Sequence, residues 1–209
     1  YFSHQIDNRT FNRGAMKNIG FLAIKEKYPH DYKNITFVFN DIDTFPIDKN
    51  MLDYRTANGV VKHFYGFRHA LGGIVSITGN DFEKINGFPN FWGWGYEDNE
   101  LNKRVLQANL TIDRSTFYSI MDVHIIQLHN EFKREINKAE IKRYQNRTRE
   151  GIREIRNLKY SIQKEMINVT NFNTISADKP NTNINHDIRA GNIKLGRKAP
   201  MSMMLLDKK

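Results

Sequence analysis

The run Ile35 to Phe39, ITFVF, limits the fold more than any other stretch of this chain. It is β-branched and aromatic, carries no charge and is too short for a helix, so it is expected as a strand covered on both faces. Just upstream, FNRGAMKNIGFLAIKEKYP sets Ala15, Ile19, Leu22, Ala23 and Ile24 at helical spacing, which predicts a helix of about 14 residues ending before Pro29. A helix followed by a buried strand predicts an α/β sheet.

The remaining elements follow the same logic. Ile74, Val75 and Ile77 predict a strand, then a short helix from about Asp81 to Ile85 capped by Asn80 or Asp81. Glu97 to Ala108 reads as a helix with Leu101, Val105 and Leu106 inward and acids in its first turn, where they complement the dipole. LTIDR and VHIIQL are strand candidates. Between Lys133 and Lys164, Ile136, Ile141, Ile152, Ile155, Leu158 and Ile162 recur at partly helical spacing, and a solvated basic helical face is expected there. Residues 171 to 198 are rich in Asn, Asp, Lys and Gly and are expected as a long loop or mobile segment. The 209 residues suit one domain.

Composition narrows the function. No apolar run approaches the roughly 20 residues that span a bilayer. The chain lacks cysteine, which excludes disulfides and thiolate metal sites and leaves His, Asp and Glu as the strong metal ligands. That absence and the lack of an anchor favour a cytoplasmic location, although a first residue of Tyr1 implies a segment upstream. The formal net charge of +9 points to an anionic partner, either nucleic acid, an anionic surface or a phosphorylated small molecule. Nucleic acid is the weaker candidate, because zinc-finger spacing, an RNP-like aromatic motif and an evident helix-turn-helix are all missing.

Two stretches carry chemistry. FNDIDTFP places Asp41 and Asp43 just after the predicted strand, where ligand crevices of open α/β sheets lie. Two carboxylates spaced i, i+2 in extended backbone point roughly the same way and suit a hard divalent cation, and an Asx turn is the alternative. WGWGYED is more specific. Gly93 and Gly95 let the backbone approach a ligand, Trp94 offers a flat face for a sugar ring, and Glu97 and Asp98 can accept hydroxyl protons. A turn that caps the next helix explains the acids but neither Trp92 nor Trp94. In VHIIQLHN, Gln127 and His129 face one way on a regular strand and His124 the other, so the two histidines do not share a metal.

FNRGAMKNIGF (11 to 21), FVFNDIDTFP (37 to 46), GGIVSITGNDFEKINGFPNFWGWGYEDNEL (72 to 101) and IQLHNEFKRE (126 to 135) resemble, in order, the successive blocks of the β-1,4-galactosyltransferase family. KAPMSMMLLD (198 to 207) is similar to the last strand of the xylose-directed members. The resemblance implies a GT-A fold, a central mixed sheet flanked by helices, with a UDP-sugar donor, a glycan acceptor, Mn²⁺ and inversion at the anomeric carbon. By position it implies Phe11, Asn12 and Arg13 as nucleotide contacts, Asp41, Ile42 and Asp43 as donor-binding residues, and Asp43, Gln127 and His129 as the metal set. Trp94 would lie between donor and acceptor, Gly95, Tyr96, Glu97 and Asp98 would face the acceptor, and Asp98 would be the catalytic base. Residues 1 to 170 would form the transferase domain, and 171 to 209 an irregular loop and C-terminal strand.

The chain departs from the family pattern at four places. Ala70 stands two residues before Gly72 and Gly73, where members have a tyrosine that helps select galactose, so the resemblance leaves room for an N-acetylhexosamine donor. Tyr96 stands where members have glycine or arginine, which leaves the acceptor open. Gln127 replaces the first histidine of a His-x-His pair and is a weaker neutral ligand. The Pro-x-Arg-x-Arg nucleotide motif of the family's first strand is missing from this sequence, and a carbohydrate-binding relative without catalysis is the alternative it raises. With an anchor upstream, the implied location would be the Golgi lumen.

Overall fold

The computed structural model describes residues 1–128, 133–146 and 148–187. Its strands are β1 (Phe2–Gln5), β2 (Thr36–Asn40), β3 (Thr44–Pro46), β4 (Val60–Gly66), β5 (Ile74–Thr78), β6 (Thr111–Asp113), β7 (Tyr118–Ser119), β8 (Ile125–Gln127), β9 (Lys133–Asn137), β10 (Arg156–Gln163), β11 (Met166–Asn173) and β12 (Asn183–Asp187). Its helices are α1 (Arg13–Lys27), α2 (Gly79–Lys84), α3 (Glu97–Gln107) and α4 (Lys138–Gln145).

The main sheet runs β2-β5-β4-β6, with β7 also on β4, and is mixed: β2/β5 and β4/β5 are antiparallel, β4/β6 and β4/β7 parallel. All five residues of β5 are buried, as expected for a central strand. β2 corrects the expectation from ITFVF. It is an edge strand that alternates, burying Phe37 and Phe39 while Val38 is exposed, so only one face is covered.

Helix α1 lies between two cores. Asn12 caps it by accepting from the Ala15 amide at 2.9 Å, and Lys25 and Lys27 sit in its last turn where they complement the dipole. Phe21 joins Phe37, Phe39, Phe82 and Phe88 over the main sheet, while Ala15, Met16 and Ile19 pack with Trp92, Ile167, Val169 and Phe172 against a second sheet, β1-β11-β10. In that sheet β1 is parallel and β10 antiparallel to β11.

Two short ladders complete the frame. β3 pairs with β8, setting Thr44 opposite Gln127, and β9 pairs with β12. The basic stretch after Lys133 is therefore not one helical face. Lys138–Gln145, capped by Asn137, is its α-helical part and holds Ile141, whereas Ile136 lies in β9, Ile152 in a single 3-10 turn and Leu158 and Ile162 in β10. The expected loop from 171 is also partly regular: 171–173 finish β11, so a boundary at 170 falls inside that strand, and β12 occupies 183–187. The tail 198 to 207 lies outside the described residues.

Candidate functional site

Asp41 follows β2 directly, and the backbone turns at once, with the Thr44 amide donating to the Asp41 carbonyl at 3.0 Å. The Asp-x-Asp segment is thus a tight turn rather than extended chain, and its two carboxylates enter different surroundings. Ile42, between them, is 80% exposed.

Asp41 faces cations. Arg13, in the first turn of α1, brings Nη2 to 2.6 Å from Asp41 Oδ1, and Lys17, one turn later, brings Nζ to 3.1 Å from the same oxygen. Burial raises the Asp41 carboxyl, but the Arg13 and Lys17 charges and their hydrogen bonds outweigh it and hold the group well below the usual carboxylate range. Arg13 also donates from Nη1 to Asp98 Oδ2 at 2.9 Å and to Glu97 Oε1. Burial lowers the Arg13 guanidinium, while Asp41, Asp98 and Glu97 together push it well above its ordinary value. One guanidinium therefore ties the Asp41 turn to the start of α3.

The Trp-Gly stretch is a loop of left-handed residues. Gly93 has φ +83°, Gly95 +118° and Tyr96 +69°, values that glycine takes freely and tyrosine only at a cost. The Tyr96 strain is held by stacking on Tyr144, with ring centroids 4.5 Å apart. Trp94, between the glycines, is 42% exposed, and its backbone is fixed by a 2.7 Å bond from its amide to the Glu135 carbonyl of β9. Trp92 is the opposite case: it is buried, stacks on Phe172 and donates from Nε1 to the Ser176 carbonyl at 2.7 Å.

Asp98, in the first turn of α3, holds its two carboxylate oxygens in different surroundings. Oδ2 is held by Arg13, whereas Oδ1 is buried without a hydrogen-bond donor and has only Lys17 Nζ, at 3.7 Å, nearby. Its carboxylate rests on Gly72, where a Cβ would come within 2.2 Å of Oδ2, so a larger residue there would displace the carboxylate. The Leu71 amide donates to the Asp98 carbonyl at 2.9 Å, which sets buried Ala70 one residue from this contact.

Among the described residues, Asp43 has no Lys or Arg within ion-pair distance. Oδ1 accepts from Thr44 Oγ1 at 3.1 Å, and the Asp43 carbonyl accepts from the Leu128 amide at 2.7 Å. Gln127, next to Leu128, accepts from the Tyr65 hydroxyl through Oε1 at 2.9 Å and retains a second lone pair there. The β3–β8 ladder, which pairs Thr44 with Gln127, brings the Asp43 and Gln127 segments together, and a carboxylate and an amide oxygen are the donor types a divalent cation takes. His129 lies outside the described residues, and among those residues no three His, Asp or Glu side chains cluster as a metal site. His124 is paired with Asp122 at 2.9 Å.

Two expected contacts need correction. The Asn12 side chain is buried, with Oδ1 capping α1 and Nδ2 bonded to the Asn90 carbonyl at 3.1 Å, so it is committed to the fold and not open to a nucleotide. Glu97 is also buried. Its carboxylate accepts from Arg13 and from the Gly95 amide at 3.1 Å, which braces the loop instead of facing an acceptor. Phe11, by contrast, is 53% exposed. Lys17 and Tyr65 were not singled out from sequence. Lys17 was legible as the i+4 neighbour of Arg13, whereas Tyr65 gave no local signal.

A family model described as the N-terminal domain of galactosyltransferase matches residues 53–130. β-1,4-Galactosyltransferase 2 of Cricetulus griseus is 36% identical over 126 residues, covering 54% of this chain and 32% of its own. Over these stretches the chain is similar to β-1,4-galactosyltransferases. The human β-1,4-galactosyltransferase 2 is likewise 36% identical over 126 residues, with the same coverage. β-1,4-Galactosyltransferase 7 of Drosophila melanogaster is 29% identical over 174 residues, covering 77% of this chain and 52% of that one. The match thus spans about a third of the first relatives' length and half of the last. A solved structure of a mutant Drosophila β-1,4-galactosyltransferase 7 in complex with manganese, UDP-Gal and xylobiose superposes with a TM-score of 0.63 at 23% identity, covering 86% of this chain and 81% of that one. That likeness shows the GT-A fold. Among the described residues no helix is long and apolar enough to cross a membrane.

Proposed function

We propose that this protein transfers a hexose or N-acetylhexosamine from a UDP-sugar to a glycan hydroxyl in a divalent-metal-dependent, inverting reaction. The observation that carries this is Asp98. Its Oδ1 is a buried acceptor with no donor, at the foot of the loop that presents Trp94. An acceptor hydroxyl supplies the missing donor. Its oxygen attacks the anomeric carbon, the bond from that carbon to the UDP oxygen breaks, the proton passes to Asp98, and UDP leaves with the electron pair. Arg13 on Oδ2 keeps the carboxylate aimed so that Oδ1 is the oxygen that accepts.

The other residues bind and orient. Trp94 gives the sugar ring a flat apolar wall, and exposed Phe11 gives the base of the nucleotide a similar one. Asp43 and Gln127, with His129, would hold Mn²⁺, which supplies charge neutralisation for the leaving diphosphate when bound. A solved relative is in complex with manganese and UDP-Gal, which supports a metal-dependent reaction with a UDP-sugar.

The test is a screen of UDP-sugars with Mn²⁺ and xylobiose as acceptor. Turnover should need the metal, fall by about 10²- to 10⁴-fold in Asp98→Asn, the range for a lost general base, and require at least tenfold more Mn²⁺ in Asp43→Asn. Glycan binding without any UDP-sugar turnover would favour instead a carbohydrate-binding relative.

A further inference from the structure

The site just described uses Arg13 and Lys17, and both are matched by carboxylates. A second cationic pair is not. Arg68 lies in the connection between β4 and β5, and Arg114 directly follows β6. Their guanidinium carbons stand 4.8 and 5.9 Å from the centroid of one ring, Phe117. Arg114 Nη2 donates to the Arg68 carbonyl at 2.7 Å. Neither guanidinium has a carboxylate within ion-pair distance among the described residues. Two like charges held over one aromatic ring repel, and burial together with the Arg68 charge lowers the Arg114 guanidinium below its ordinary value.

This pair is linked to Asp98 by consecutive contacts. Arg114 Nε donates to His63 Nδ1 at 3.0 Å, so His63 carries its proton on Nε2 and gives it to the Tyr65 carbonyl at 3.0 Å and the Gly72 carbonyl at 3.2 Å. Gly72 is the residue against which the Asp98 carboxylate rests. The same connection presents Phe67, 58% exposed and stacked on His69 with centroids 5.4 Å apart. The β4–β5 connection, with Arg114 from the connection after β6 bonded to it, thus combines an exposed aromatic pair, two planar cations without a carboxylate partner among the described residues and a short path to the proposed base.

We propose that Arg68 and Arg114 receive an oxyanion, a carboxylate or sulfate, carried by the acceptor glycan, with Phe67 and His69 as the wall for its ring. The planar forks of two guanidiniums match such an oxyanion, and its charge turns their repulsion into attraction. The acceptor assignment rests on the transferase reading, whereas the anion site rests on the geometry alone.

The experiment is calorimetric binding at fixed ionic strength of xylobiose, of xylobiose bearing one glucuronic acid and of xylobiose bearing one sulfate. The native chain, Arg68→Gln and Arg114→Gln are compared. Arg68 is exposed, so its variant should melt like the native chain, which keeps the test valid even where Arg114→Gln loosens the fold through His63. Two anionic forms binding about tenfold more tightly than the neutral one, as a charge-assisted hydrogen bond allows, with that preference lost in Arg68→Gln, is the expected result. Equal binding of the three forms, or a preference that survives both substitutions, would overturn it. So would inorganic sulfate binding with no anionic glycan bound, or tighter binding to a single-stranded oligonucleotide of similar charge. Anionic-glycan binding through Arg68 without UDP-sugar turnover would sink the transferase reading and leave the anion site standing. Turnover with no preference for charged acceptors would do the reverse.

Discussion

Arg13 and Asp41 are joined by both carboxylate oxygens of the aspartate, 2.6 and 2.5 Å from Arg13 Nη2. The same guanidinium reaches Glu97 and Asp98 through Nη1. Arg13→Ala would leave three mostly buried carboxylates with Lys17 as their main counter-charge. The expected loss is about 3 kcal/mol of stability, the scale for breaking a buried ion pair by removing one partner. Chemical denaturation of the native chain and Arg13→Ala near neutral pH checks this, and a difference below about 0.5 kcal/mol, the usual range for a surface substitution, would show that Arg13 does not organise the site.

His63 gives the fold a pH dependence of its own. Burial, and then the neighbouring Arg114 charge, lower its pKa from 6.5 to about 4. The folded group therefore resists a proton that the unfolded chain accepts. Its contribution is fully present above 6.5 and is lost as pH falls from 6.5 toward 4, at up to about 1.4 kcal/mol per pH unit. In His63→Gln, whose amide can still donate to the Gly72 carbonyl, the stability curve should be flatter than the native one between those limits. Parallel curves for the two proteins would count against a neutral buried His63.

Ala70 bears on donor choice. It is 6% exposed and lies one residue before Leu71, whose amide holds the Asp98 carbonyl. On the proposed function, its small side chain leaves space for an N-acetyl group beside the transferred sugar. Ala70→Tyr should shift kcat/KM toward UDP-galactose over UDP-N-acetylgalactosamine by about tenfold, since steric rejection in a pocket is worth about 1–3 kcal/mol. An unchanged ratio in a variant that still folds would remove Ala70 from donor selection.

Local periodicity made the fold frame legible. Helices α1 and α3 and strand β5 stand where apolar spacing and the acids after Tyr96 place them, except that Leu106, expected inward, is 55% exposed. What periodicity could not supply was long-range pairing. ITFVF reads as doubly covered, yet β2 sits at a sheet edge, because strand order is set by partners distant in sequence. The isoleucines after Lys133 mimic a helical repeat that β-ladders then divide between β9 and β10. In the site, the ordered blocks pointed to Asp41, Asp98 and Trp94, and Arg13 does bring the first two together. Burial separates the rest: Asn12 and Glu97 lie in the same motifs as exposed Phe11 and Trp94 but are turned inward.

The two tryptophans of FWGWG show that inward turn most sharply, and they should part company under mutation. Trp92 is 1% exposed, lies nearly parallel to Phe172 at 5.4 Å and has Arg9 4.8 Å above its ring, so it anchors the loop to the second core. Trp92→Ala should cost about 3–5 kcal/mol, the range for removing a buried large aromatic, and any loss of turnover should follow the loss of folded protein. Trp94→Ala removes a side chain that is 42% exposed, so stability should change by less than about 1 kcal/mol. Because that face is the proposed wall for the sugar, acceptor KM should rise at least tenfold in Trp94→Ala with the fold intact. Melting curves and acceptor titrations on both variants decide the matter: equal destabilisation by the two substitutions, or an unchanged acceptor KM in Trp94→Ala, would mean that the glycines present no sugar-binding surface.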